Sequence, residues 1–203
     1  DCIRLRTSAT NNTFKYGIIK QEPYNNNALG VQIIGGKSDS GYTEVDIGGG
    51  IDGGYAATQI DFWTAANTTT ATGTRRLRID SVGRTLIGHT ASLSEGCLLQ
   101  VARANDNTVE LFGFSANANG ARINLTKSRN GTVGTNTIVQ DGDTIGELHF
   151  RAANGSGYFR VAAIEAEIDG TPGASSVPGR LIFSTTASGA TTQTERLRIT
   201  SDG

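Results

Sequence analysis

The strongest constraint on the fold is an internal repeat. Residues 60–83 begin with IDFWTAAN, continue through a threonine-rich turn and end with RRLRIDSVG. Residues 181–203 follow the same order, with LIFSTTAS, a similar turn and ERLRITSDG. Repetition of this kind is typical of chains that use one structural unit more than once. The sequence therefore predicts two tandem copies of one β module, covering residues 1–93 and 94–203.

The apolar residues within each copy follow a period of two. Alternation is clear in residues 76–79, 121–127, 147–151 and 161–168, and each stretch is bounded by Gly, Asn, Asp or Ser. Alternate side chains of a strand point to opposite faces, so this period predicts short β-strands with one apolar face. Asn-Gly and Asp-Gly pairs tolerate the positive backbone angles of tight reversals and mark the expected hairpin tips. The fold class that follows is all-β, built from short strands and hairpins.

One segment fits either a helix or a strand. Ser92 and Glu95 precede the apolar residues 98–101 with the spacing of a helix-capping box. The same residues also fit a linker followed by a strand. We favour the strand, because the rest of the chain follows the strand period.

Core-forming residues are scarce. Hydrophobic residues make up 36% of the chain and aromatic residues 6%, beside 27 glycines. An all-β chain of this kind leaves strand edges open unless it closes on itself or on its neighbours. We expect several identical chains to wind around a common axis, while the alternative is a self-contained, monomeric β-sandwich. The expected inter-chain core consists of Leu77, Ile79, Leu197 and Ile199, and the arginines that alternate with them face outward.

The charge balance excludes some partners. The 18 basic and 19 acidic residues leave a net charge of −1, which does not favour binding to nucleic acid or to an anionic membrane. No run of about 18 apolar residues predicts a membrane-spanning helix. Cys2 and Cys97 fit neither a zinc site nor a disulfide scaffold, so we expect free thiols. The chain has no methionine and begins at Asp1, so we expect it to be a processed product or part of something longer.

Candidate catalytic and metal-binding residues have simpler explanations. Residues 48–53 match the GxGxxG spacing, but no helical pattern follows, so a turn is expected. His89 and His149 have no recognisable nucleophile to activate. The acidic residues of 165–169 alternate as they would on the solvated face of a strand. We therefore expect no catalytic residue, no cofactor and no bound metal.

Four aromatic residues could contact a sugar. Trp63, Tyr42, Tyr55 and Tyr158 have polar neighbours, and an aromatic face beside polar groups is the physical basis of sugar stacking. Packing in a core or an interface also explains these residues, in a chain with so few aromatic residues. Both alternatives stay open at the level of the sequence, and we favour packing.

The repeat resembles a known family. Residues 75–90 are similar to the E-R-[ML]-R-I-D-S-x-G-N-V-G-I-G-T repeat of bacteriophage tail-fibre and tailspike-like proteins, although Arg84-Thr85-Leu86 departs from Asn-Val-Gly. Residues 121–129, 140–146 and 163–186 also resemble these fibres.

The resemblance implies fold, location and partners. Such shafts are homotrimers of intertwined or side-by-side β-structure, often followed by an endosialidase-type intramolecular chaperone domain. The expected function is therefore that of a virion structural protein, a tail-fibre shaft that supports or presents receptor binding and is extracellular when mature. Expected partners are two further copies of the chain, other tail or baseplate proteins, and a host cell-surface glycan or protein. The alternative is a carbohydrate-binding head of the same apparatus.

Overall fold

The computed structural model describes residues 15–22, 24, 28–50, 54–94, 96–104 and 108–203. Within these ranges the chain forms eleven strands and no helix, which confirms the predicted all-β class. The strands are β1 (Lys15–Gln21), β2 (Val31–Ser38), β3 (Thr43–Ile47), β4 (Ile60–Thr64), β5 (Thr74–Ile79), β6 (Thr85–Ile87), β7 (Leu99–Val101), β8 (Thr144–Ala153), β9 (Tyr158–Ile168), β10 (Gly179–Thr185) and β11 (Thr194–Ile199).

The chain divides into two compact units, Asp1–Leu111 and Phe112–Gly203. The first unit contains a three-stranded antiparallel sheet, β1-β2-β3, and a four-stranded sheet, β4-β5-β6-β7, in which only β6 and β7 are parallel. The second unit contains one antiparallel sheet in the order β11-β10-β9-β8. The module boundary that the repeat predicts, between residues 93 and 94, stays a prediction.

Several predicted strands are present. The stretches 76–79, 147–151 and 161–168 lie within β5, β8 and β9. The strand favoured near residues 98–101 is β7, and Glu95 of the alternative capping box lies outside the described residues.

The strand predicted at residues 121–127 is not formed within the single chain. The alternation is there, but these residues join none of the sheets. A strand needs a hydrogen-bonded neighbour, and the described residues supply none at this place. Sequence period alone reports side-chain direction and cannot report whether a partner backbone is available.

The hairpin of β4 and β5 contains a β-bulge. Phe62 lies opposite Leu77, and the register then shifts before the next pair, so Arg76 is the extra residue. The Nε atom of Arg76 donates a 2.9 Å hydrogen bond to the hydroxyl of Thr64. Because a bulge bends its strand and strengthens the local twist, it is a specific feature of a hairpin.

The hairpin of β10 and β11 has the same construction. Phe183 lies opposite Leu197, and the register shifts immediately afterwards, which leaves Arg196 as the extra residue. Its Nε atom donates a 2.8 Å hydrogen bond to the hydroxyl of Thr185. The sequence match between these two stretches thus corresponds to the same register, bulge and hydrogen bond. That the whole units are copies of one module stays a prediction.

The buried core is small. The buried apolar side chains among the described residues are Leu86, Val139, Ala163, Ile168 and Ile182. The chain exposes 15539 Å², whereas two separate compact units of half of 21.2 kDa each would expose about 10,900 Å² together. Many large apolar side chains are therefore exposed, both on sheet faces and in loops.

The buried Gln100 side chain organises a loop of the first unit. The Gln100 amide oxygen accepts a hydrogen bond from the Leu93 N–H at 2.9 Å, and its nitrogen donates to the Ser94 carbonyl at 2.8 Å. These bonds hold the loop after β6 against the sheet face that carries Leu86. Buried polar groups are stable only when they are bonded in this way.

Candidate functional site

One face of the β4–β7 sheet is apolar and open to solvent. Ile60 lies opposite Ile79, and Phe62 lies opposite Leu77, which in turn lies opposite Ile87 on β6. Directly opposed residues point to the same side of a sheet, so these side chains share one face. Phe62 is 49% exposed, and Ile79 and Ile87 are exposed as well. This face is called the first apolar face below.

The sheet of the second unit has a corresponding face. Leu181 lies opposite Ile199, and Phe183 lies opposite Leu197, which is 54% exposed. The face continues across β9 to the exposed side chain of Leu148 on β8. It is called the second apolar face. Exposed apolar side chains grouped on one sheet face are typical of an interaction surface.

The four residues predicted as the inter-chain core occupy these faces. Leu77 and Ile79 lie together on the first apolar face, and Leu197 and Ile199 lie together on the second. Leu77 is half-buried and the other three are exposed. Their contact with another chain stays a prediction.

Two segments of the chain cover one end of the second apolar face and form a groove with it. Residues 125–127 and 137–139 lie across this end, above Ile168, which is 2% exposed. The groove has a volume of about 620 Å³ and is lined mainly by apolar side chains, including Leu125, Leu181 and Ile199. The second apolar face is thus partly covered at one end and open elsewhere.

The opposite face of the β4–β7 sheet is charged. Arg78 forms a two-pronged ion pair with Asp61, with both N···O distances at 2.7 Å, and Arg75 approaches the same carboxylate at 3.2 Å. Hydrogen bonds from Arg78, and then from Arg75, lower the pKa of Asp61 from 3.8 to about 2. Asp61 is therefore ionised at every physiological pH and holds β4 to β5.

A similar network ties down the end of the second unit. Arg180 binds Glu167 at 2.6 Å and Asp169 at 3.0 Å, and Asp169 also accepts a 2.8 Å hydrogen bond from the Ser201 N–H. The Ser201 amide and the Arg180 guanidinium hold the pKa of Asp169 below its ordinary value. Glu165 accepts a hydrogen bond from the Thr144 hydroxyl at 2.7 Å. The acidic row predicted as simply solvated is engaged in binding neighbouring side chains and backbone.

The four predicted sugar-contacting aromatic residues are exposed and dispersed. Trp63 is 56% exposed on the charged face, with the Arg75 guanidinium carbon 5.9 Å from its ring centroid. Tyr42 lies at the β2–β3 turn, and Tyr55 makes an isolated bridge to Val31. Tyr158 begins β9 in the second unit. Within the described part of the chain no ring contact joins any two of the four, so they do not form a common platform there.

The remaining candidates show no catalytic geometry. His149 lies 3.0 Å from Glu147 on the same strand, and His89 contacts the carbonyl groups of Ala91 and Gln100. Gly48, Gly49 and Gly50 have positive φ angles, as the expected turn requires. The rest of that motif, residues 51–53, lies outside the described residues, as does Cys2. Cys97 is a free, exposed thiol.

Two exposed phenylalanines, Phe112 and Phe114, are not among the site residues that the sequence predicts. Phe112 and Phe114 stack with their ring centroids 6.2 Å apart, and Phe114 is 95% exposed. Their spacing of two residues is the signal that could have identified them, because it places both side chains on one side of an extended backbone.

The described residues contain no cluster of three or more His, Cys, Asp or Glu side chains that could hold a metal ion. Across the same residues, no helix has the length and apolar character needed to cross a membrane.

Comparisons with known proteins identify the fold. No family model matches the chain, and no curated protein sequence matches it. Among solved structures, the chain is similar to the carboxy-terminal domain of the L-shaped tail fibre of bacteriophage T5, with a TM-score of 0.56 and 11% sequence identity. The match covers 98% of this chain and 75% of that chain, so the likeness extends over both units. The chain thus has the fold of a phage tail-fibre domain.

Proposed function

We propose that this chain is a non-enzymatic structural component of a phage tail fibre, and that it forms a homotrimeric shaft. The observation that carries the proposal is the pair of open apolar faces, one in each unit, built on hairpins of the same register. The fold shared with a T5 tail-fibre domain supports the tail-fibre assignment. The number of three chains comes from the sequence resemblance to tail-fibre repeats.

The residues that the β4–β5 and β10–β11 hairpins have in common favour a role in assembly. Between the two hairpins, Phe62 corresponds to Phe183 and Leu77 corresponds to Leu197, so the apolar face is kept. The opposite face carries charges in both units, and Arg78 corresponds to Arg198. Its other positions are not kept, because Asp61 corresponds to Ile182 and Trp63 corresponds to Ser184. Because the apolar face recurs in both units, we infer that it has the same role in both. Burial against a neighbouring chain is such a role.

The surface area supports a large interface. The chain exposes 15539 Å², about 4,600 Å² more than two compact units of its mass would. A standard protein interface buries about 800 Å² on each partner. Covering the apolar faces would stabilise the assembly by roughly 25 cal/mol for each Å² of apolar area removed from water. The surplus exposed area of the chain is therefore several times what one standard interface buries on each partner.

Location and partners follow from the same proposal. A tail-fibre shaft is part of the virion, joins other tail or baseplate proteins, and holds a receptor-binding element away from the particle. Contacts of the fibre with host glycan or protein would be made by that receptor-binding element.

The solution mass tests the proposal directly. Light scattering of the purified chain should give three times 21.2 kDa, and thermal unfolding at two concentrations should show a higher melting temperature at the higher concentration. A stable monomer of 21.2 kDa would refute the shaft and leave a self-contained binding module.

A carbohydrate-binding head is the second candidate. The observation that favours it is the exposed Trp63 ring beside the charged side chains of Asp61 and Arg75. Aromatic rings beside polar groups stack on sugars. A glycan array probed with the purified chain separates the two candidates, because a shaft without a head should bind none of the glycans.

A further inference from the structure

The backbone of residues 120–127 has no hydrogen-bond partner among the described residues. None of its N–H or C=O groups bonds to a side chain or to another backbone group there. This stretch is called the open segment. Backbone groups are paired almost without exception in folded assemblies, with protein or with water. An eight-residue stretch that lacks any protein partner is thus either hydrated or completed by another chain.

The open segment has the sequence of a strand. Its side chains alternate between apolar and polar along GARINLTK, and Ile123 is exposed to 69%. β-branched and apolar residues in alternation favour a half-buried strand, and a hydrated loop has no need of this pattern.

The chain itself holds the open segment in place. A Cβ atom built on Gly113 would lie 2.7 Å from the backbone nitrogen of Ala121, so the two backbones approach closely. At the other end, Leu125 packs so tightly on Gly146 that a Cβ there would lie 2.7 Å from the Leu125 Cβ. Because Gly146 lies in β8, the Leu125 contact joins the segment to the sheet, which lowers the entropic cost of ordering the segment on binding.

We propose that the open segment pairs, as a β-strand, with a strand of a second copy of this chain. The surplus of exposed area and the net charge of −1, which imposes little repulsion between copies, favour a second copy as the occupant. Addition of a strand to an unpaired backbone supplies main-chain hydrogen bonds, and the alternate side chains set its register. This inference rests on the proposed function and specifies where the chains are hydrogen-bonded to one another.

Amide hydrogen exchange of the unaltered, assembled chain tests the pairing. Peptides that cover residues 120–127 should exchange at least about 100-fold more slowly than a free synthetic peptide of the same sequence, since paired amides exchange only when the ladder opens. Rapid exchange in a chain that runs as a trimer would overturn the pairing and leave the proposed function standing. A monomeric mass would overturn both. Slow exchange that persists in the monomer would place the missing partner within the chain and would also overturn the pairing.

Proline substitutions supply an independent test. Ile123→Pro and Asn124→Pro each remove one N–H, and both are needed because consecutive N–H groups of a strand point to opposite edges. At least one of them should raise the concentration at which the assembly dissociates tenfold or more. Ala118→Pro, in the bend between Ser115 and Asn119, is the matched control and should leave that concentration unchanged. If all three folded variants dissociated at the same concentration, the pairing would be contradicted.

Discussion

Phe183 lies directly opposite Leu197 across β10 and β11, one step before a β-bulge. Phe62 has the same relationship to Leu77 in the other unit. In both hairpins the pair is apolar and belongs to a sheet face that the chain leaves largely open. A stable monomer would have no reason to retain such a pair twice, whereas an assembly that buries both faces would.

The substitution Leu197→Asp should break the assembly. It would place a carboxylate on the edge strand of the second apolar face, opposite Phe183, and burying an unpaired charge between chains costs several kcal/mol. We expect the concentration at half-dissociation to rise by about 100-fold or more, since each 1.4 kcal/mol is tenfold. Light scattering over a dilution series measures this.

Val82→Asp is the matched control for that variant. Val82 is 65% exposed, more than Leu197, but it lies in the turn after β5 and outside both apolar faces. Its variant should assemble as the unaltered chain does. Equal loss of assembly in both variants would mean that added negative charge, and not the apolar face, is responsible.

Truncation of Leu86 should destabilise the chain independently of assembly. Leu86 is 1% exposed, and removal of a fully buried leucine side chain leaves a cavity that costs about 2–5 kcal/mol. We expect Leu86→Ala to lower the melting temperature at low and at high protein concentration alike. The smaller change Ile168→Val, at another fully buried site, should cost only about 0.5–1.5 kcal/mol. A Leu86→Ala variant with unaltered melting would show that this core is not the main source of monomer stability.

Trp63 permits a direct test of the alternative function. It is the only tryptophan of the chain, so intrinsic fluorescence reports on this side chain alone. For a shaft, titration with host polysaccharide should leave the emission unchanged, and Trp63→Ala should leave the assembled mass unchanged, because Trp63 lies on the charged face. A saturable shift in emission would favour the carbohydrate-binding head. The control variant is Tyr24→Ala, at an exposed residue outside this sheet, and it should respond as the unaltered chain does.

The sequence was sufficient for the class of fold and for the hairpins. Alternation in residues 76–79 and 147–151 specifies strands because one face of each must be apolar, and the repeat placed equivalent residues at equivalent positions. The bulges at Arg76 and Arg196 were not foreseen, because an extra residue leaves no mark in a pattern that already contains two adjacent charged residues.

Interactions that depend on distant contacts could not be derived. Residues 121–127 have the same alternation as β8, and only the absence of a neighbouring backbone distinguishes them. Likewise, the pairing of Arg75 and Arg78 with one carboxylate depends on the bulge, which brings residues three apart onto the same face.

The ion pair of Asp61 should make stability depend on pH in acid. Its pKa is lowered to about 2 in the folded chain from 3.8, so the contribution of the pair is fully present above pH 3.8 and is lost as the pH falls towards 2. Asp61→Asn should therefore remove part of the fall in melting temperature across this interval. Asp39→Asn is the control, because the Asp39 carboxylate accepts a hydrogen bond from the adjacent Ser40 N–H and the structure places it in no ion pair with a described residue. Melting curves of the three proteins between pH 2 and pH 5 should differ only for Asp61→Asn, and parallel curves would show that the pair contributes nothing to folding.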